Sequence, residues 1–394
     1  MNIEKMQKIN NNKSLDSFNP SNYQEVDELN KIKNICISVI SKTGLDLTGL
    51  TILTEAATGP WKFTPFIAAF ANAKKVLCYT KNSKFGTVKE IKDNFKNISS
   101  FLGVDDKIVV CNSLSNEIIN QADIVTNSGF LRPIDKNFIS KLKKTAVISL
   151  MWEPWEFFGI DVDLKECWKK EISILGVNES NNILNVMKYA GELIEKILEI
   201  NLLEQSDKHI LVITENISGF HILKKLEKSN HVCCMTETMF KEFQKDFKLV
   251  YKNFNEIDNN FLQTLDYIII DSYPNTKKII DDTEGISPET LKALCPDVKI
   301  IVYFGNVNYD LIIKNGLYCY PSKNTSFGKM NWTTDLLGPS PIIELNTLGL
   351  KVGEILSKNR LQGMTSRESE LNAIKSTYCL DFSEDQRIFF MKDS

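Results

Sequence analysis

Histidine is scarce in this chain: His209, His221 and His231 are the only three among 394 residues. Imidazole-built zinc sites and histidine-dependent proton transfer therefore have few candidates. No uninterrupted apolar stretch approaches the ~18–20 residues that a bilayer-spanning helix needs, so no membrane partner is expected. The N-terminal segment MNIEKMQKINNNKSLDSFNPSNYQEVDE has no apolar core of the secretory kind. Its Asn, Ser and Lys content reads as a mobile tail as far as about Pro20, with 1–30 set apart from the folded chain. Charge of one sign is also missing. Lys and Arg number 47 against 50 Asp and Glu, a net −3, which argues against a dedicated nucleic-acid binder with its basic face. The nine cysteines (36, 78, 111, 167, 233, 234, 295, 319 and 379) form no C-x-x-C. An odd number of unpaired thiols suits a reducing cytoplasmic location. Cys78, Cys111, Cys233 and Cys319 lie in apolar runs and read as small core residues, so no metal is expected. No phosphate-binding P-loop, G-x-S-x-G, H-E-x-x-H or calcium-loop pattern occurs.

What is present is alternation. Short β-branched runs at Leu50–Thr54, Lys75–Thr80, Lys107–Cys111, Ala122–Thr126, Ala146–Leu150 and Ile172–Val177 are separated by helical segments. Continuous apolar strands between helices predict a parallel sheet covered on both faces. Thr64-Pro65 has the N-cap and first-turn proline of a helix start. From Ser180 to about Glu204, apolar residues recur at three- and four-residue spacing, which predicts one long helix. A second series follows, with strands at His209–Thr214, His231–Thr236, Tyr267–Asp271 and Lys299–Phe304, then an amphipathic helix over about Ile342–Leu356. The expected fold class is α/β: two Rossmann-like parallel-sheet domains, one flavodoxin-like and one dinucleotide-binding-like, joined by a long helix. The boundaries are drawn at 31–180, a linking helix 181–204, a second domain 205–340, and a helix and tail 341–394 that is free to pack back onto the first domain.

Ligands of parallel sheets gather at strand C-termini, so the residues there are the first candidates. After the first strand, Glu55, Thr58, Gly59 and Lys62 combine a carboxylate, free amides and a cation suited to an anion. After the fourth strand, Arg132 offers a planar fork for a carboxylate or phosphate. The run Leu150–Phe158 (LMWEPWEFF) places Trp152 and Trp155 for stacking and Glu153 and Glu156 for proton transfer. Asn178-Glu179 ends the last strand of the first domain, where ligand contact and capping of the following helix are equal readings. Tyr320–Gly338 is a long connection with Lys323, Lys329, Trp332 and Asp335, of the kind that forms binding loops. In the second domain Asp271, Gly305 and Asn306 complete the strand-end set.

The path from Ala122 to Leu203, through ADIVTNSGF, PIDKNFISKLKK and AVISLMWEPWEFFGIDVDLKECWKKEISILGVNE to the helical run, resembles the NAD-dependent D-2-hydroxyacid dehydrogenases. The resemblance implies a substrate lobe followed by a cofactor lobe, with NAD or NADP as cofactor. It covers about eighty residues clearly and is one of path. In that family the cofactor lobe opens on G-x-G-x-x-G; the matching turn here is Thr214-Glu215-Asn216-Ile217-Ser218-Gly219, in which Thr214 and Asn216 replace two glycines and Gly219 remains. The family's catalytic Arg and His have no counterpart: Gly305-Asn306-Val307-Asn308 follows the Lys299–Phe304 strand, and no histidine comes after His231. The implied function is a divergent NAD(P)-dependent oxidoreductase acting on a small polar metabolite in the cleft between the lobes. The alternatives are a two-lobed nucleotide-sugar or other group transferase, with Lys323, Lys329 and Glu344 on the nucleotide, and a ligand-binding protein that kept the fold without the chemistry. A homodimer is compatible with each.

Overall fold

The computed structural model describes residues 15–157, 159–322 and 330–392. The chain forms two compact units. Among the described residues, one comprises Leu15–Val186 together with the chain from Gly338 onward; the other is Met187–Leu337.

In the first unit the strands are β1 (Thr51–Glu55), β2 (Lys75–Tyr79), β3 (Ile108–Cys111), β4 (Ile124–Thr126), β5 (Val147–Ser149) and β6 (Ser173–Val177). They pair in parallel in the order β3-β2-β1-β4-β5-β6. Every residue of β1, β4, β5 and β6 is buried. That is why these runs are continuously apolar or β-branched rather than alternating. In the second unit β7 (His209–Thr214), β8 (His231–Met235), β9 (Val250–Tyr251), β10 (Tyr267–Asp271), β11 (Lys299–Phe304) and β12 (Tyr318–Tyr320) repeat the plan as β9-β8-β7-β10-β11-β12, again all parallel. Both sheets thus have the doubly wound order in which the chain reverses direction between its first and fourth strands. The first sheet shares this six-strand order and not the five-strand flavodoxin order.

A short antiparallel strand, β13 (Cys379–Leu380), extends the first sheet beside β6. The helix Ser340–Leu361 returns to the same unit and lies on β4, β5 and β6. Two small residues let it come close. A Cβ on Gly353 would stand 2.6 Å from the Ile124 side chain, and one on Gly349 would stand 2.5 Å from Met151 Sδ.

Three expectations change. The linking helix is Tyr189–Ile200, not 181–204. Ahead of it the Asn181 carboxamide accepts from the Ile183 and Leu184 amides (3.0 and 2.9 Å) and so holds a turn that competes with helix. The N-terminal segment is tied down from residue 15: Leu15 and Phe18 are buried, Asn94 bonds the Phe18 amide and the Leu15 carbonyl, and the helix Tyr23–Thr43 starts on an Asn22 cap. The run after β8, TMFKEFQKDFKLVYKN, whose sequence predicts helix, is helical only over Phe240–Phe243 and then supplies β9. Among the described residues no helix is long and apolar enough to cross a membrane, and no cluster of His, Cys, Asp or Glu is arranged to hold a metal.

Candidate functional site

The reversal point of the first sheet lies between the C-terminal ends of β1 and β4. Parallel pairing brings three hydroxyls together there: Thr126 Oγ1 bonds Thr54 Oγ1 (2.8 Å) and Ser128 Oγ (2.7 Å). Glu55, the last residue of β1, is buried, and its Oε2 accepts from the Phe130 amide at 2.8 Å. Burial raises the Glu55 pKa, against the opposing pull of that amide and of Arg132. Next to β4, Asn127 is fully buried. Its Oδ1 accepts from the Met151 amide (2.9 Å), but its Nδ2 has no partner among the described residues.

Arg132 donates through Nε to the Asn127 carbonyl (2.6 Å), lies 4.3 Å over the Trp152 ring, and faces Asp161 at 3.6 Å. Its fork is thus partly held by the protein. The anion that Gly59 and Lys62 meet is not a ligand but a residue of the chain, and Thr58 takes no part. Asp16 lies 2.5 Å from Lys62 Nζ and accepts from the Gly59 amide at 2.9 Å. Lys62 is 1% exposed, so this carboxylate neutralises an ammonium that would otherwise be stranded. Thr58 precedes the 3-10 turn Gly59–Phe63 and makes no side-chain cap.

Glu153 and Glu156 turn inward and meet Glu179. The Trp155 indole donates to Glu153 Oε2, and Glu153 Oε1 accepts from the Glu179 amide (3.0 Å). Burial, then repulsion by Glu153, pushes Glu156 up to about 8, and burial, then repulsion by Glu156 and Glu153, pushes Glu179 well above the ordinary carboxyl range. Glu156 is therefore a protonated acid near neutrality, and Trp155 is an internal donor. Asn178 is committed to the edge: its amide and Nδ2 donate to the carbonyls of Tyr378 and Thr377 beside β13.

In the second unit the reversal point lies between β7 and β10. Asp271, at the end of β10, is fully buried and accepts from Ser218 Oγ (2.5 Å), Asn216 Nδ2 (3.3 Å) and Thr214 Oγ1 (3.3 Å). Burial outweighs those three donors and raises it to about 6. Ser272 Oγ, one residue on, is fully buried without a partner among the described residues. A Cβ on Gly305 would stand 2.4 Å from that hydroxyl. Asn306 Nδ2 donates to the Thr276 carbonyl. Trp332 is buried and donates to the Val302 carbonyl at 3.2 Å; Lys323 and Lys329 lie outside the described residues.

The turn from β7 into the helix Ser218–Leu226 is where a dinucleotide's pyrophosphate would be cradled. The residues present do not fit it. Asn216 Oδ1 accepts from the Ser218 amide (2.9 Å), and its Nδ2 donates to the Tyr273 carbonyl (3.0 Å). The side chain therefore fills the cradle and takes up an amide at the helix start. Gly219 keeps the packing role of the motif's last glycine, since a Cβ there would stand 2.2 Å from Thr214 Oγ1. The ribose side is different. Glu215 accepts from the Thr238 amide (3.0 Å) and hydroxyl (2.6 Å) and so fixes the loop after β8. On that loop Glu237 is exposed, at the place where an acid can accept from a ribose diol.

Glu237, Asn127 and Ser128 escape a sequence reading, as do Asp16 and Ser218. Only Glu237 carries a local signal, an acid roughly 20 residues beyond the glycine turn. The others matter through partners far along the chain.

Two doubly wound parallel sheets, each with a buried carboxyl at its reversal point, define the class as a two-unit Rossmann-type α/β protein. No family model matches the chain, and no curated protein matches it in sequence. Among solved structures it is similar to a dipicolinate synthase from Bacillus halodurans, at 9% identity and TM-score 0.49 over 80% of this chain and 99% of that one. It is also similar to a 2-hydroxyacid dehydrogenase from Ketogulonicigenium vulgare, at 12% identity and TM-score 0.43 over 81% and 98%. A formate dehydrogenase from Granulicella gives 14% and 0.41 over 75% and 85%.

Proposed function

We propose that this chain is a divergent protein of the nicotinamide-dependent oxidoreductase type that handles a small polar metabolite at the strand tips of its first sheet. The observation that carries the reading is Asn127 Nδ2, a fully buried donor with no protein acceptor among the described residues, beside the Thr54–Thr126–Ser128 hydroxyls and the Glu55 carboxyl. Leaving such a donor unmet costs about 1–3 kcal/mol. A metabolite carboxylate or carbonyl oxygen satisfies it. Glu55, raised by burial, is the group on hand to hold or release a proton there. In the second unit Ser272 follows β10 as Asn127 follows β4, and repeats the unmet polar group.

The nucleotide enters through its ribose, by Glu237, and not through a glycine cradle. An acid at this place favours NAD over NADP, whose 2′-phosphate it repels. Thermal unfolding with NAD, NADP, UDP-sugars and S-adenosylmethionine tests the assignment. NAD should stabilise the wild type modestly, and Glu237→Ala should remove that shift. Stabilisation by UDP-sugars alone supports the group-transferase reading. The filled cradle favours the third reading, a binding protein without redox chemistry. Its signature is stabilisation by small carboxylates and by none of the nucleotides.

A further inference from the structure

On one side of the first sheet a cavity of about 300 Å³ opens at the strand tips. Its apolar wall includes Tyr79, Phe130 and Phe138, and its polar rim includes Lys81, Arg132 and Lys141. The register explains its place. Glu55 pairs with Tyr79 across β1 and β2, so the two side chains share a face, and Glu55 holds the Phe130 amide that sets the opposite wall.

The charges on the rim are unequal. Lys81 Nζ stands 5.6 Å over the Phe130 ring; its charge reaches Glu55 and pulls that carboxyl's pKa down, but among the described residues neither Lys81 nor Lys141 is closed into an ion pair. Arg132 faces Asp161 at 3.6 Å. The one acid on the lining, Asp135, has its Oδ1 bonded by the Phe138 amide. Cations around an aromatic wall suit a ligand with a flat apolar body and one negative end: the body packs on the rings, the anion meets the ammoniums, and the ring-stacked lysine is already oriented.

We propose that this cavity binds an aromatic or similarly flat monoanion, with Lys81 and Lys141 reading the charge and Tyr79 and Phe130 the body. The inference rests on the reading that the first sheet's tips hold the metabolite, and it names that metabolite's class. Benzoate is the probe, with benzylamine as the control for charge and acetate as the control for shape, titrated into the full chain by calorimetry. Benzoate should bind, benzylamine should not, and acetate should bind more weakly. The rim variant Lys81→Glu/Lys141→Glu, at one exposed and one half-buried lysine outside the core, should weaken benzoate by roughly tenfold or more, or ~1.4 kcal/mol. Phe130→Ala should weaken it too, with acetate unaffected. Benzoate affinity unchanged by the lysine reversal, yet lost in Asn127→Ala, would overturn the cavity and leave the broader reading standing. No binding of either carboxylate to the wild type would overturn both.

Discussion

At Thr214 the first strand of the second sheet runs so close to the following helix that only glycine fits at 219, where an added Cβ would meet three Thr214 atoms within 2.5 Å. Gly219→Val is therefore a packing lesion before it is a binding lesion. It should cost about 1–3 kcal/mol in urea unfolding, as overpacked cores do; an unchanged midpoint would show that helix and strand are not that close. Asp271 gives a pH signature. Burial raises its folded pKa to about 6, above the ~3.9 of an unfolded aspartate. Between those values the folded chain holds the proton that the unfolded chain has released. Stability from this group is then complete below about 4 and is lost as pH rises through about 6. Asp271→Asn should flatten the fall in melting temperature across that window; a slope equal to wild type would mean that the carboxyl titrates normally.

At the scale of elements, the helix Ser340–Leu361 is the clearest case of packing by small residues. Its moderate apolar pattern says little about orientation, but Gly349 and Gly353, one turn apart, face Met151 and Ile124. The Ser149 hydroxyl donates to the Gly349 carbonyl. Ile124 is β-branched, fully buried and on the middle strand of its sheet, so it has little room to yield. Gly353→Leu should cost about 1–3 kcal/mol, measured as a lower denaturation midpoint, whereas Lys358→Ala, at a half-exposed lysine whose partner Glu354 keeps Lys351, should change it by under about 1 kcal/mol.

For the whole molecule, the division of the chain makes a different kind of prediction. Met187–Leu337 is one continuous segment with its own six-stranded sheet and core, running from Leu211 and Ile213 through Ile268 and Ile300. Expressed alone it should unfold cooperatively. The first unit is discontinuous, and its sheet is covered by the helix that begins at Ser340. A fragment ending at Val186 should therefore aggregate or bind hydrophobic dye, and adding the chain from Gly338 in trans should rescue it. Folding of the short fragment unaided would show that the returning helix is dispensable.

The strands β1, β2, β4, β6, β7, β10 and β11 were legible because buried parallel strands need unbroken apolar or β-branched runs, a property each segment carries in itself. The helix beginning at Thr64-Pro65 was legible for the same reason, although its cap position is Phe63 and not Thr64; Gly219 was legible as a motif position, but its packing against Thr214 was not. Strand order, the Asp16 carboxylate on Lys62, the Asn216 carboxamide in the cradle and the unmet Asn127 donor were decided only in three dimensions. Each depends on which distant residue lies a few ångströms away, and hydrogen bonds and charge pairs are set by that distance rather than by separation along the chain. The one-dimensional pattern thus determined that two parallel sheets form. Tertiary packing determined which of their polar tips the protein itself satisfies and which have no partner among the described residues.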